Sequence, residues 1–423
     1  MKKLSFLFLI FFSQLTFAQK TYIQCGKLID GMANSAQSHL TIVVDGNMIS
    51  DIQKGYTTGG AADKVINLQN KTVMPGLIDC HVHLEDQFSK TSRLDGFIMT
   101  DADVAYQAAI YAKRTLMAGF TTVRDLGGSG VNISLRKAVA KGLVAGPRII
   151  TAGRAISSSG GHMDHTDGYR DDVFDHKMGP EDGIADGRDE LIKAVRLQIK
   201  RGSDVIKIAS TGGVLDLSEN GSGANFTIDE IKAVVETAKD YGLKVACHAH
   251  GAEGIRRAIL GGVTSIEHGT FMNDEDMELA KKYGTYLVPT IIAGKSVADS
   301  SKIPGFFPPV IARKAQEVGP QIQQTFARAY KAGVKIAFGT DAGVYAHGKN
   351  YIEFQYMVEA GMPPMEAIKA ATTSAADLLG LTEKIGSISK GKFADIIAVD
   401  GNPLDDIKTM KNVSFVMKEG KVY

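Results

Sequence analysis

Apolar and polar positions give the chain three rhythms in turn. From residue 19 to about residue 72, short runs with strand-like alternation (Tyr22–Leu28, Leu40–Val44, Met48–Ile52 and Lys64–Leu68) are separated by turn signals at Asp30-Gly31, Asp45-Gly46-Asn47 and Gly59-Gly60. This pattern predicts a small antiparallel β segment. From Thr72 to about Leu381, short apolar runs alternate with longer helical periods. The strand candidates are Val73–Cys80, Thr121–Asp125, Arg148–Ala152, Val205–Ala209, Lys244–His248, Ser265–Glu267, Tyr286–Thr290 and Lys335–Thr340. Between them, Asp103–Met117, Gly187–Arg201, Ile228–Tyr241, Ala252–Leu260 and Asp274–Tyr283 read as helices. Many of these end at a glycine, as left-handed C-caps do. Strands alternating with helices over about 300 residues predict an α/β fold, a (β/α)8 TIM barrel. After Leu381 the β rhythm returns in Gly386–Ile388, Asp395–Val399, Val413–Lys418 and Lys421–Tyr423. The expected organisation is a barrel over residues 73–381, with a small β-sandwich-like domain built from residues 19–72 and 382–423.

Residues 1–18 fall outside this scheme. Met1-Lys2-Lys3 is basic, Leu4 to Phe12 is almost wholly apolar, and Thr16-Phe17-Ala18 is a small-residue cleavage site. This is the pattern of a secretory signal peptide, and its apolar core is too short to span a bilayer. The expected location is periplasmic or secreted, with no membrane association after cleavage. The mature chain keeps three cysteines, Cys25, Cys80 and Cys247. An odd count argues against a disulfide framework. The net charge of +1 offers no basic surface for nucleic acid or for acidic lipid. The expected partner is a small-molecule substrate, and a homo-oligomer is compatible with the composition.

The longest connections follow strand candidates: Ser157–Asp186, Thr211–Phe226 and Ile292–Pro309. In a barrel such connections gather on the face where chemistry occurs. The same face receives an unusual set of side chains. The first barrel strand ends in His81-Val82-His83, and alternation puts both imidazoles on one side. Cys80 points the opposite way, into the layer outside the sheet, as does Cys247 on the fifth strand. The fourth strand, Asp204-Val205-Ile206-Lys207-Ile208-Ala209, holds one lysine among β-branched residues. The fifth ends in His248-Ala249-His250, the sixth in Glu267-His268-Gly269 and the eighth in Gly339-Thr340-Asp341. Alone, a His-x-His is equally a pair of buried histidines, a strand lysine an interface residue, and an Asp near Gly a helix cap. Together, at the ends of successive strands, they form a metal-ligand set. A protonated lysine would repel cations. Buried among apolar residues its amine is expected to have a lowered pKa and to be nucleophilic, and reaction with carbon dioxide would give an anionic carbamate able to bridge two metals.

These segments resemble the amidohydrolase superfamily of metal-dependent hydrolases. The resemblance covers nearly all of the mature chain. It runs through Val73-Met74-Pro75-Gly76-Leu77-Ile78-Asp79-Cys80-His81-Val82-His83, Gly339-Thr340-Asp341, Glu366-Ala367-Ile368-Lys369-Ala370-Ala371-Thr372 and the segment from Gly386 to Ile396. Val205–Gly213, His248-Ala249-His250-Gly251 and Ile266–Thr270 are similar to its exported Xaa-Pro dipeptidase and imidazolonepropionase-related branch. The resemblance implies that His81, His83 and Asp341 bind the more buried of two divalent metal ions, with zinc expected. It implies that His248 and His268 bind the second ion and that carbamylated Lys207 bridges both. A metal-bridging hydroxide would attack an amide carbonyl, and Asp341 would carry the proton to the leaving amine. His250 and His162, the latter in Ser159-Gly160-Gly161-His162, would meet substrate. His162 would meet its carboxylate or the developing oxyanion. Alternation leaves His248 and His250 on the same face, and the family pattern favours His248 as ligand. His165, His176 and His347 read as surface or loop residues.

The expected reaction is hydrolysis of an amide bond in a dipeptide or N-acyl amino acid. A cyclic amide, lactone or phosphotriester is the alternative on the same site. A mononuclear deaminase is disfavoured, because Lys207 is present and residue 251 is Gly. A non-catalytic binding protein on this fold would have lost ligands, and all six are in place.

Overall fold

The computed structural model describes residues 19–174 and 176–423. The signal peptide read at residues 1–18 lies outside them. Four strands open the described chain: β1 (Lys20–Leu28), β2 (Gln37–Asp45), β3 (Met48–Lys54) and β4 (Lys64–Pro75). β1 pairs antiparallel with β2 and parallel with β4. The sequence predicts separate strands Lys64–Leu68 and Val73–Cys80, but β4 runs through the first into the second and ends at Pro75, and the remainder, from Leu77, is a strand of its own. The polar Gln69-Asn70 pair does not break it because β4 bulges there, advancing four residues while β1 advances two. Its register jumps from Cys25↔Leu68 to Lys27↔Thr72. Gly26 lies at that jump, where a Cβ would stand 2.1 Å from the Gln69 carbonyl oxygen.

At Pro75-Gly76 the chain passes into the second unit. Gly76 N–H donates to the Asp395 carbonyl over 2.8 Å. β5 (Leu77–Val82), β6 (Phe120–Asp125) and β7 (Arg148–Thr151) form one parallel sheet. β8 (Ile206–Ala209), β9 (Val245–Ala249), β10 (Ser265–His268) and β11 (Tyr286–Val288) form another. Isolated parallel bridges join their edges. Ile156↔Ile208 links the two sheets, and Leu287↔Ile336 and Val82↔Ala342 attach the segment that follows Val334. Lys335–Thr340 is therefore not the regular strand its sequence predicts. It still bonds both neighbours, with Leu287 N–H to Lys335 O at 2.8 Å and Ala337 N–H to Leu287 O at 3.1 Å on one side, and Cys80 N–H to Phe338 O at 2.9 Å and Thr340 N–H to His81 O at 3.3 Å on the other. The domain is a TIM-barrel-like α/β fold.

The predicted helices are observed within two residues of their expected ends, at Asp101–Met117, Gly187–Arg201, Ile228–Asp240, Ala252–Gly261 and Asp274–Tyr283. Capping boxes at Thr100, Thr227 and Asn273 open three of them. Left-handed Gly202, Gly262 and Gly284 close three. The expected connection Ile292–Pro309 is corrected. Most of it is the helix Ile291–Ser301, followed by a helix Pro309–Ala332. The chain then returns to the first sheet through β12 (Ile396–Val399), β13 (Val413–Lys418) and β14 (Lys421–Val422), in the order β14-β13-β12-β4-β1-β2-β3. Gly386–Ile388 is not a strand. Its backbone is tied to the N-terminal strands by Ile388 N–H donating to Asp30 O at 2.9 Å. Among the described residues, no helix is long and apolar enough to cross a membrane.

The helix Ile291–Ser301 starts at Thr290, which has no side-chain cap and a left-handed φ of 50°. Its first amides donate instead to Glu353, Ile291 N–H to Oε1 at 2.8 Å and Ile292 N–H to Oε2 at 2.7 Å. Glu353 is fully buried, and burial raises its carboxyl pKa to about 8 against those two bonds. A carboxyl raised in the fold holds its proton there while the unfolded chain has lost it. Its contribution to stability is therefore present below the unfolded pKa and lost as pH rises toward 8. Up to about 1.4 kcal/mol per pH unit is expected from this group. Thermal melts of Glu353→Gln from pH 5 to pH 8 should show a shallower loss of stability than the parent, and parallel curves would refute the assignment.

Candidate metal centre

His81 and His83 leave β5 on one side, as alternation requires, and their rings lie 5.3 Å apart. His81 is buried and its Nδ1–H donates to Glu267 Oε2 over 3.0 Å. His83 Nδ1–H donates to the Gly127 carbonyl over 2.9 Å. Each bond occupies one ring nitrogen and leaves Nε2 free as a ligand. Both Nε2 atoms turn toward Asp341 Oδ1, at 3.5 Å from His81 and 3.3 Å from His83. Burial disfavours the Asp341 carboxylate, but the charges of His81 and His83 outweigh it and hold its pKa low. Burial also lowers the His83 pKa, and Asp341 reverses this to about 9.

A second group faces the first. His248, His250 and His268 bring one ring nitrogen each within 4.8 Å of the others, as do His81, His83 and Asp341 in their own group. The His81 and His268 rings, 5.0 Å apart, join the two sets. Here too one nitrogen of each ring is engaged. His248 Nε2–H donates to Gly212 O at 3.1 Å, His250 Nδ1 pairs with Thr270 Oγ1 at 2.8 Å, and His268 Nδ1 pairs with Thr290 Oγ1 at 2.7 Å. His268 and Asp341 both have left-handed backbones, with φ of 69° and 59°. Such strain in residues other than glycine collects at functional sites.

Lys207 projects from β8 with 1 % of its surface exposed, and its Nζ has no hydrogen-bond partner. Burial lowers its pKa, opposed by Glu267 and Asp341. Its charge acts on His81 and Asp341 in one group and on His248 and His268 in the other. An orphaned amine among open imidazole nitrogens and a carboxylate fits a site for divalent cations.

Several residues that shape the site were not singled out from the sequence. Glu267 is one, because alternation turns it away from His268. Glu267 lies in register with His248, so it faces inward and reaches His81 on β5, and the left-handed turn at His268 brings that ring to the same side. Arg124 on β6 binds Glu267 Oε1 at 2.8 Å and is itself 2 % exposed. It carried the signal that marked Lys207, a charge inside an apolar strand. Asp79 accepts from Thr340 Oγ1 at 2.6 Å and from Asn350 Nδ2 at 2.8 Å, which fixes the turn into Asp341. The three cysteines are free and buried. His162 stacks on His248 with centroids 4.2 Å apart. His165 is exposed, and His176 lies 3.2 Å from Asp182. His347 corrects its surface reading. It is buried, stacked on Tyr111, with Nε2–H donating to Asp86 O at 2.8 Å, because the loop after Asp341 folds inward over the helix Asp101–Met117.

A TIM-barrel-like domain with two facing groups of metal-capable residues at its strand ends defines a metal-dependent hydrolase. The amidohydrolase family model matches residues 72–423, and the chain belongs to that family. It is a hydrolase acting on carbon–nitrogen bonds. Its relatives include ochratoxinase of Aspergillus niger, 34% identical over 96% of this chain and 87% of that protein. A crystal structure of a Xaa-Pro dipeptidase with bound methionine in the active site is 51% identical, with a TM-score of 0.93 over 96% of this chain and all of the other. A prolidase structure complexed with N-methylphosphonate-L-proline is 30% identical, with a TM-score of 0.87 over 96% and 99% of the two chains.

Proposed function

We propose that this protein is an exported binuclear amidohydrolase that cleaves the amide bond of a dipeptide or N-acyl amino acid. The unpartnered Nζ of Lys207, buried where its charge reaches both ligand groups, carries the reading. A neutral amine there adds to carbon dioxide, forming an N–C bond and releasing one proton. The resulting carbamate would spread one negative charge over two oxygens, an anionic ligand between the two groups. His81, His83 and Asp341 would hold one metal ion, and His248 and His268 the other, with zinc matching the imidazole-rich ligation. When bound, two such cations lower the pKa of a water and polarise the scissile carbonyl.

The chain's own groups complete the reaction. Asp341, kept ionised by the adjacent imidazoles, accepts the proton of the attacking water and returns it to the leaving amine. His250, hydrogen-bonded to Thr270, is assigned to substrate. His162 is assigned to the substrate carboxylate or the oxyanion. The bridged sheets support a closed (β/α)8 barrel, and the sheet built from both chain ends supports a separate small β domain. The ligands carried by the related dipeptidase and prolidase structures, methionine and a phosphonate of proline, favour amino-acid-derived substrates.

The test is a screen of residues 19–423 loaded with zinc in bicarbonate, against Xaa-Pro and other dipeptides, N-acyl amino acids, a cyclic amide, a lactone and a phosphotriester. Turnover is expected on the open-chain amides, with about two metal equivalents bound. Turnover confined to the lactone or phosphotriester, or full activity with one equivalent, would refute the proposal.

A further inference from the structure

His162 reaches the metal centre from a long loop, yet three other segments hold it. Its Nδ1 lies 2.8 Å from Asp216 Oδ2. The same oxygen accepts the Gly213 N–H at 2.7 Å. The other carboxylate oxygen accepts from Ser218 Oγ and from Lys314 Nζ, both at 2.6 Å. Lys314, on the helix Pro309–Ala332, also donates to the carbonyls of Asp216 and Ser218 at 3.0 and 2.8 Å. The Lys314 and Asp216 side chains are 4% and 6% exposed, whereas His162 keeps 16%. Gly213 is part of the cradle, since a Cβ there would stand 1.9 Å from His162 Nδ1. The far side of the imidazole stacks on His248, with planes 24° apart.

We infer that Asp216, clamped by Lys314, is a positioning residue that commits His162 Nδ1–H to itself and leaves Nε2 as the nitrogen for substrate. The inference rests on the assignment of His162 to substrate. A carboxylate only accepts, so the bond to Nδ1 selects the tautomer. Removing Asp216 and Lys314 from water is costly and is offset only when every remaining site is bonded. Here all of them are, and His162 is the one partner outside the loop and the helix that carry the pair. Lys314 thus ties the connection after the fourth barrel strand to the helix before the eighth, and Asp216 passes that rigidity to a side chain at the reaction centre.

The experiment compares Asp216→Asn, His162→Asn and their double variant in the zinc-loaded chain, using the best dipeptide of the screen. Asp216→Asn keeps the shape and removes the charge. It is expected to lower kcat/KM about 10–100-fold, through the same parameter, kcat or KM, that His162→Asn changes. The double variant should be no worse than His162→Asn alone, with metal content unchanged. Lys314→Met should reproduce the loss in part, and Lys314→Arg should restore it. A second readout needs no turnover. Long-range 1H–15N spectra of the histidine-labelled protein, with the His162 signal assigned by its absence in His162→Asn, should show a proton on Nδ1 in the parent and a mixture of tautomers in Asp216→Asn. Additive losses in the double variant, or an unchanged His162 tautomer in Asp216→Asn, would overturn the inference. If His162→Asn leaves turnover intact while the tautomer shifts as expected, the substrate role of His162 fails and its positioning by Asp216 stands.

Discussion

Lys207→Met is expected to abolish hydrolysis without weakening the metal-free fold. The two effects separate because the amine serves no other group. Lys207 Nζ is buried without a hydrogen-bond partner, so the native fold already carries an unsatisfied polar atom. Such an atom costs about 1–3 kcal/mol. Methionine fills nearly the same volume between Ile206 and Ile208 and removes that cost. Melts of the chelated variant should match or exceed those of the chelated parent. Turnover should nonetheless fall by about 10³-fold or more, since under the proposed mechanism no carbamate could form and the two ligand groups would lose their bridge. Parent protein stripped of carbon dioxide should regain activity in bicarbonate, and the variant should not. A variant retaining a tenth of the parental rate would remove Lys207 from the mechanism. A variant that melts far below the parent would show that the lysine has a structural partner.

The candidate ligand residues were legible because each lies where a local rule meets a global one. His81, His83, Lys207 and His248 follow strand alternation, and the strand count placed their ends on one face. Helices with their own caps were legible for the same reason, as at Thr227 and Asn273. What could not be read was supplied from far along the chain. The helix Ile291–Ser301 lacks a local cap because Glu353, about sixty residues later, caps it. Glu267 was hidden by a left-handed residue that no periodicity announces. The run Lys64–Leu68 continues through the polar Gln69-Asn70 only because β4 bulges against β1 there, which no local pattern announces. Asp216 and Lys314 carry no motif, and their meaning arises when two connections meet over His162.

Arg124→Met should separate stability from metal affinity in the opposite direction. Arg124 reaches from β6 to β5 and β10. Its Nε donates to the Cys80 carbonyl at 2.6 Å, one terminal nitrogen to Ser265 Oγ at 3.0 Å and the other to Glu267 Oε1 at 2.8 Å. Glu267 is fully buried, and its second oxygen orients His81. Removing the guanidinium strands that carboxylate without a counter-charge, which costs about 3–5 kcal/mol. The loss is a large part of a net stability of about 5–15 kcal/mol, and denaturant unfolding of the chelated protein would measure it. Replacing both partners, Arg124→Met with Glu267→Leu, should recover most of that stability, because no buried charge remains. It should not recover metal binding. His81 Nδ1 then lacks the acceptor that fixes its tautomer and ring angle, and affinity for zinc should stay about 10–100-fold below the parent. If the double variant regained both properties, the Arg124–Glu267 pair would serve packing alone and His81 would need no orienting partner. If it regained neither, the pair would be required for the fold itself.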